Sequence, residues 1–340
     1  MCADKPNMGN CKQDASSVME SKALALIGDI GGTHCRFALA RDGQLLRETI
    51  TIYDSNAYLS IVDAANAFFK TQQAHIDIAC LAIAAPVGGD AVHLTNNPWQ
   101  FSIKQTQHDL GLSVLSIIND FEAIGLALPH LRAEQLQQIG GAEPQPKKPK
   151  AALGPGTGYG ATHVINCGGN IVALPTEGGH VSLAPSTQQE LELFEWLLQH
   201  RLQITCEQLI SGPGLERLHG ALCDLNGVTC EKLSAAQIQQ RASTSEDPLC
   251  VAALNLFCEL LGTAARDQAL CCLAQGGVYI AGGIVKRFIP FLRASGFRKR
   301  FENSDTMRAL LEPIPVFVIV EENPGLIGAA AHTTVLRLRG

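Results

Sequence analysis

Between Leu24 and Leu39 the chain runs apolar into a turn with two adjacent glycines, Gly31-Gly32, and leaves it along an alternating apolar run. That pattern constrains the segment to strand, tight turn, strand. Around the turn, Gly28-Asp29-Ile30-Gly31-Gly32-Thr33 combines backbone N–H groups that an anion can approach closely with the Thr33 hydroxyl. Asp29 would repel a phosphate unless a divalent cation stood between them, so the turn suits a nucleoside triphosphate with magnesium. An ordinary hairpin, in which Gly31 and Gly32 only supply positive φ, is the other reading of the same residues.

The pattern recurs. After the first hairpin, Asp42-Gly43 turns into a strand over 44–52, making a three-strand meander. The spacing predicts a helix over 57–71, a buried strand over 78–85, and a strand over 113–118 that delivers Asn119-Asp120 to a helix over 121–128. Then Ala151 to Gly158 enters a second glycine turn from a short strand, and strands over 161–166 and 171–174 follow, joined by Gly168-Gly169-Asn170. Strand, glycine turn, strand, turn, strand has occurred twice, which implies a duplicated unit of meander plus helices. Helices dominate 188–275 with a break at 211–214. A strand over 277–281 ends in Gly282-Gly283, where a helix is expected, and a strand over 316–320 precedes a last helix opened by Pro324-Gly325. Neither glycine turn is a P-loop, and Tyr159 falls where the dinucleotide fingerprint needs its last glycine.

The 340 residues exceed one typical core, so two domains are expected. A net charge of −6 argues against a nucleic-acid binder, and the basic cluster Lys147, Lys148 and Lys150 is interleaved with prolines as in a solvated loop. The polar first 21 residues read as a disordered extension without a secretory leader, and the longest apolar run, 78–87, is too short to span a bilayer. The 12 cysteines contain no C-x-x-C pair, so reduced thiols in the cytoplasm are expected.

From about residue 22 onward the chain resembles the bacterial-type glucokinases. Seven motifs run in family order: Gly-Asp-Ile-Gly-Gly-Thr at 28–33, Ile-Asn-Asp-Phe at 118–121, Gly-Pro-Gly-Thr-Gly at 154–158, Glu-Gly-Gly-His at 177–180, Glu207 ahead of Ser-Gly-Pro-Gly, Ala-Gly-Gly-Ile at 281–284, and Glu-Asn-Pro-Gly-Leu at 322–326. The resemblance leaves the polar leader outside. It implies an α/β, two-lobed actin-like ATPase (ribonuclease H-like) fold with a cleft between lobes. The expected small domain is 22–130 plus 321–340, and the large domain is 131–320. The implied activity is transfer of the ATP γ-phosphoryl group to the 6-hydroxyl of D-glucose at the entry to glycolysis, in a homodimer without nucleic-acid or membrane partners. Another hexose, a polyphosphate donor, a non-catalytic sugar sensor and a chaperone-like ATPase are the competing readings.

Such a transfer needs a carboxylate to take the hydroxyl proton, and Asp120, at the end of a buried strand, is the candidate base. With an ordinary pKa of about 3.9 it would be ionised at neutral pH, so its use is expected to come from placement more than tuning. As a plain helix cap, Asn119 or Asp120 would be equally at home, and the two roles are compatible. The resemblance adds Asn119, Glu177, His180 and Glu207 as sugar contacts; from the residues alone, Glu207 is indistinguishable from an exposed helical glutamate. It also assigns the ATP phosphates to Gly28, Asp29, Ile30, Gly31, Gly32, Thr33, Gly154, Gly156, Thr157 and Gly158. Gly282 and Gly283 would admit the nucleoside, although glycine there also suits pure packing. Asp29 would reach Mg2+ through water. A related family binds zinc through a C-x-C-G-x-x-G-C cluster that this chain lacks, so no zinc is expected.

Overall fold

The computed structural model describes residues 24–72, 75–94, 97 and 99–337; the expected leader over 1–21 lies outside them. Thirteen strands are seen among the described residues: β1 (Leu24–Ile30), β2 (His34–Arg41), β3 (Gln44–Asp54), β4 (Ile76–Ile83), β5 (Ala91–His93), β6 (Gln100–Ser102), β7 (Val114–Asn119), β8 (Leu136–Gly140), β9 (Lys150–Pro155), β10 (Tyr159–Cys167), β11 (Asn170–Thr176), β12 (Val278–Ile280) and β13 (Val316–Ile319). A five-stranded sheet has the order β3-β2-β1-β4-β7, and a six-stranded sheet the order β11-β10-β9-β12-β13-β8. In both, an antiparallel meander is extended by two parallel strands: β4 and β7 beside β1, and β12 and β13 beside β9. The second sheet thus repeats the order of the first and adds β8 antiparallel at its edge.

Each sheet is buried on both faces, as its apolar strands require. Leu26 and Ile30 of β1 pack with the helix Ile61–Thr71 through Ile61, Ala65 and Phe68. Ile27 points the other way, onto Leu326 and Ala329 of the helix Pro324–Arg337. In the second sheet, Leu153, Ile280 and Val318 face a helical layer built around Pro248–Cys272, whereas Ala152, Tyr279 and Phe317 face Phe121. The helix Asp120–Ala127 is therefore wedged between the two sheets. Gly125 sits where a Cβ would press on Thr162, Val164 and Ala173, and Ala123 packs on the last helix.

Several boundaries shift for local reasons. Asp42 and Gly43 both have positive φ (52° and 75°), the hairpin turn that their sequence favours. The helix expected from 57 begins at Ile61, because the Ser60 side chain accepts from Asp63 N–H as its N-cap. After Gly283 the chain first makes a 3-10 turn, Val285–Phe288, before the helix Ile289–Ala294. The break at 211–214 is a cap: Ser211 accepts from Gly214 N–H and opens the helix Gly212–Leu225. The helix Pro248–Cys272, which is not an uninterrupted apolar run, is by length and composition apolar enough to cross a membrane, but 67% of that apolar window is buried inside the fold.

Candidate active site

The carboxyl ends of the parallel strands converge on a cleft of about 820 Å³ between the sheets, within the range of small-molecule sites. From the first sheet come Asp29 near the end of β1, Ala84 to Pro86 after β4, and Asn119 at the end of β7 with Asp120 after it. The second supplies Gly154, Gly156, Thr157, Gly158, Glu177, His180, Glu207, Gly282 and Gly283. Asp29, Asn119 and Asp120 therefore share one cleft with nine further residues singled out from the sequence.

Asn119 is the N-cap of Asp120–Ala127: its Oδ1 accepts from Phe121 N–H at 2.9 Å and Glu122 N–H at 3.3 Å, and its Nδ2 donates to Ala85 O at 3.3 Å. With Asn119 capping, the Asp120 side chain lies in the cleft, its Oδ1 accepting from Phe121 N–H at 2.9 Å. Burial, and then the neighbouring Asp29 carboxylate, push the Asp120 pKa up to about 7 against the pull of that N–H. The expectation of an untuned carboxylate is corrected: two acids share a low-dielectric pocket, and ionising both is costly. Burial likewise raises Asp29, with Arg36 Nη1 at 3.8 Å from its Oδ2 partly opposing the shift.

Glu207 is half-buried on the cleft wall, not an exposed helical residue. Its Oε2 accepts from Tyr159 N–H at 3.0 Å and fills the space beside Gly158. Gly212 N–H donates to Gly156 O at 2.9 Å, so the second glycine turn is docked onto the Ser-Gly-Pro-Gly segment. Glu177 and His180 are exposed toward the cleft, at either end of a 3-10 turn whose Gly178 and Gly179 are buried against β10. Gly282 has φ of 91° and lies where a Cβ would strike Pro155 O, which makes it a packing glycine; Gly283 opens onto free space.

The first glycine turn is divided. Gly28, Ile30, Gly31, Gly32 and Thr33 are not among the residues lining the cleft. Gly28 makes room for Leu81 and Phe37, Ile30 is fully buried in the core, and Gly31 N–H closes the hairpin onto His34 O at 3.0 Å. Gly28 and the Ile30 side chain both face packed apolar groups, so at these two positions only the backbone is left to meet a phosphate. The cleft also holds three cationic residues that the sequence reading passed over: Arg36, Lys286 and Arg287. Arg36 lies in an alternating strand, where a charge reads as a solvated face. Lys286 and Arg287 follow Gly282-Gly283 within three to five residues, and a basic pair after a glycine turn is the signal that could have found them.

A model of the family described as glucokinase matches residues 26–335. The chain is 43% identical over 309 residues to a glucokinase of Tolumonas auensis, covering 90% of this chain and 96% of that one. To a glucokinase of Klebsiella pneumoniae it is 41% identical over 311 residues, covering 91% and 96%. A crystal structure of glucokinase from an Antarctic psychrotroph superimposes with a TM-score of 0.84 at 36% identity, over 92% of this chain and 99% of that chain. Match length, identity and superposition all extend across both sheets and the cleft between them, and the chain belongs to the glucokinase family.

Proposed function

We propose that this chain transfers the γ-phosphoryl group of ATP to the 6-hydroxyl of D-glucose, with Asp120 as the general base. The observation that carries the reading is the Asp120 carboxyl, placed in the cleft at the junction of two sheets and poised at a pKa of about 7. Its Oδ1 is held by Phe121 N–H, which orients the group and leaves Oδ2 to accept the hydroxyl proton. Asn119, Glu177, His180 and Glu207 surround it with the mixed donors and acceptors that a ring of hydroxyls needs.

On the nucleotide side, Gly156 and Gly283 border open space, and Arg36, Lys286 and Arg287 bring positive charge to the same cleft. Magnesium fits Asp29, a partly buried carboxylate beside a second one, Asp120, and opposed only in part by Arg36, and when bound on the phosphates it would draw charge from the transferring group. The ribonuclease H-like ancestry of the two sheets is supported by their repeated strand order. The lobes are taken as 22–130 with 321–340, and 131–320. Dimerisation rests on the family resemblance, and a cytoplasmic location and a reaction without zinc rest on the cysteine pattern.

The test is a coupled ADP-release assay on wild type and Asp120→Asn with a panel of hexoses. Glucose-dependent ADP release by the wild type that falls at least about 10²-fold in the variant supports the assignment. Near-normal turnover in the variant, or preference for another hexose, overturns it.

A further inference from the structure

The helix Gly212–Leu225 carries His219 and Cys223 one turn apart, both buried. The segment after it brings Cys230 back to the same imidazole. Cys223 Sγ lies 3.9 Å from His219 Nε2, and Cys230 Sγ lies 3.7 Å from Nδ1. One ring nitrogen and both sulfurs are within 4.8 Å of one another. From another side, the start of Pro248–Cys272 presents Asp247 and Cys250, whose ligand atoms also lie within 4.8 Å of His219 and of each other.

We propose that His219, Cys223 and Cys230 bind one divalent cation of the zinc class as a structural site, with the fourth position facing Asp247 and Cys250. In a tetrahedral zinc site, metal–sulfur bonds of about 2.3 Å and metal–nitrogen bonds of about 2.0–2.1 Å put neighbouring ligand atoms roughly 3.4–3.8 Å apart. One ion takes a single ring nitrogen, so only one of these two contacts, 3.9 Å to Nε2 and 3.7 Å to Nδ1, would be kept, and the three ligand atoms, all within 4.8 Å of one another, would draw together to that spacing on binding. Thiolate with imidazole is the donor set that selects zinc over magnesium or calcium. Cys230 is exposed, which gives the ion an entry path, while His219, Cys223 and Cys250 are buried. On binding, each ligating thiol releases its proton to solvent as its sulfur–metal bond forms, and no electrons move.

The charged neighbours permit a cation. Arg241 is held by Glu231 through two bonds of 2.7 and 3.1 Å, and its Nη1 is 4.0 Å from Asp247 Oδ2, so its charge is matched by two carboxylates. Asp247 Oδ1 caps the Pro248 helix through Leu249 and Cys250 N–H. None of these residues lines the active-site cleft. The ion would tie the end of one helix, the segment after it and the start of another. This departs from the sequence expectation of no zinc, which rested on linear cysteine motifs.

The experiment is equilibrium dialysis of the reduced full-length chain against Zn2+ and, separately, Co2+, with metal quantified by mass spectrometry. Expected are about one equivalent per chain, a thiolate-to-cobalt charge-transfer band, and a zinc-dependent rise in Tm of a few degrees. Cys230→Ser, at an exposed position, should fold and phosphorylate glucose normally while losing the band and binding at least about tenfold less metal. Cys223→Ser should behave alike in metal binding. Three outcomes would overturn the site: substoichiometric binding by reduced wild type, equal binding by the variants, or a Cys223–Cys230 disulfide persisting under reductant.

Discussion

Arg47, on β3 of the first sheet, grips Glu321 at the crossing back from the second sheet through two parallel bonds, Nη1 to Oε1 at 3.0 Å and Nη2 to Oε2 at 2.8 Å. Gln135, at the other crossing between the sheets, donates to the same carboxylate, and Val320 N–H donates to Gln135 O at 2.8 Å. The two connections are thus tied side by side, and one carboxylate gathers bonds from both sheets. Burial alone would raise the Glu321 pKa, but Arg47, Asn323 N–H and Gln135 outweigh it and draw it down to about 2.

Glu321→Gln should therefore destabilise the chain. Because Arg47 is half-exposed, the loss is put at about 1–2 kcal/mol, read as a lower urea midpoint. The pH sign follows from the depressed pKa. The native state holds the proton less tightly than the unfolded chain, so this contribution is complete above about pH 4.5 and disappears as pH falls toward 2. Urea midpoints at pH 6 and pH 3 should differ less in the variant than in wild type.

Asp120 has the opposite sign. Its raised pKa means that the folded chain binds the proton more tightly than the unfolded one, so stability is lost as pH rises from about 4 to about 7. In the ligand-free protein, Asp120→Asn should raise Tm at pH 8 and change it little at pH 4. In wild type, kcat/KM for glucose should climb through about pH 7 as the base deprotonates. A flat profile between pH 6 and 8 would contradict the assignment.

Adjacent glycines should respond differently. Gly282→Ala strains a positive φ and drives a Cβ into Pro155 O, so a loss of about 1–3 kcal/mol is expected in thermal unfolding. Gly283→Ala meets open space and should leave Tm within about 1 °C. Its effect should appear as a raised KM for ATP with KM for glucose unchanged.

Glu207→Ala removes the acceptor of Tyr159 N–H and the side chain that packs on Gly158. Isothermal titration should show glucose affinity falling by about tenfold or more, with Glu207→Gln intermediate because its amide oxygen can still accept the bond. Affinity unchanged in both variants would remove Glu207 from the sugar contacts.

The sheets were legible because their signals are local. Gly31-Gly32 and Asp42-Gly43 mark turns, and the short apolar run over 78–85, closed by Pro86, reads as a buried strand within two residues of the observed Ile76–Ile83. The strand Leu136–Gly140 was not legible: Leu-Gln-Gln-Ile-Gly has little strand character and is held at an edge by β13. Asp120 and its capping neighbour could be placed from the sequence, but its pKa could not, since Asp29 lies 91 positions earlier in the chain. Gly28 and Gly31 look alike in a motif and differ in what a Cβ would meet, packed Leu81 and Phe37 side chains at the first and the His34 carbonyl at the second. The His219 cluster escaped notice for a similar reason, its donors coming from a helix face, a connection and a second helix.

The wedge position of Asp120–Ala127 has a mechanical consequence. At Gly328, where a Cβ would collide with the Ala123 carbonyl, two helix backbones touch without an intervening side chain. Phe121, meanwhile, anchors the same helix to the other sheet. A hinge motion of one sheet against the other would turn about this contact as about an axle. The Asp120 carboxyl sits at the end of that axle, so it would stay nearly stationary while the cleft walls swing around it.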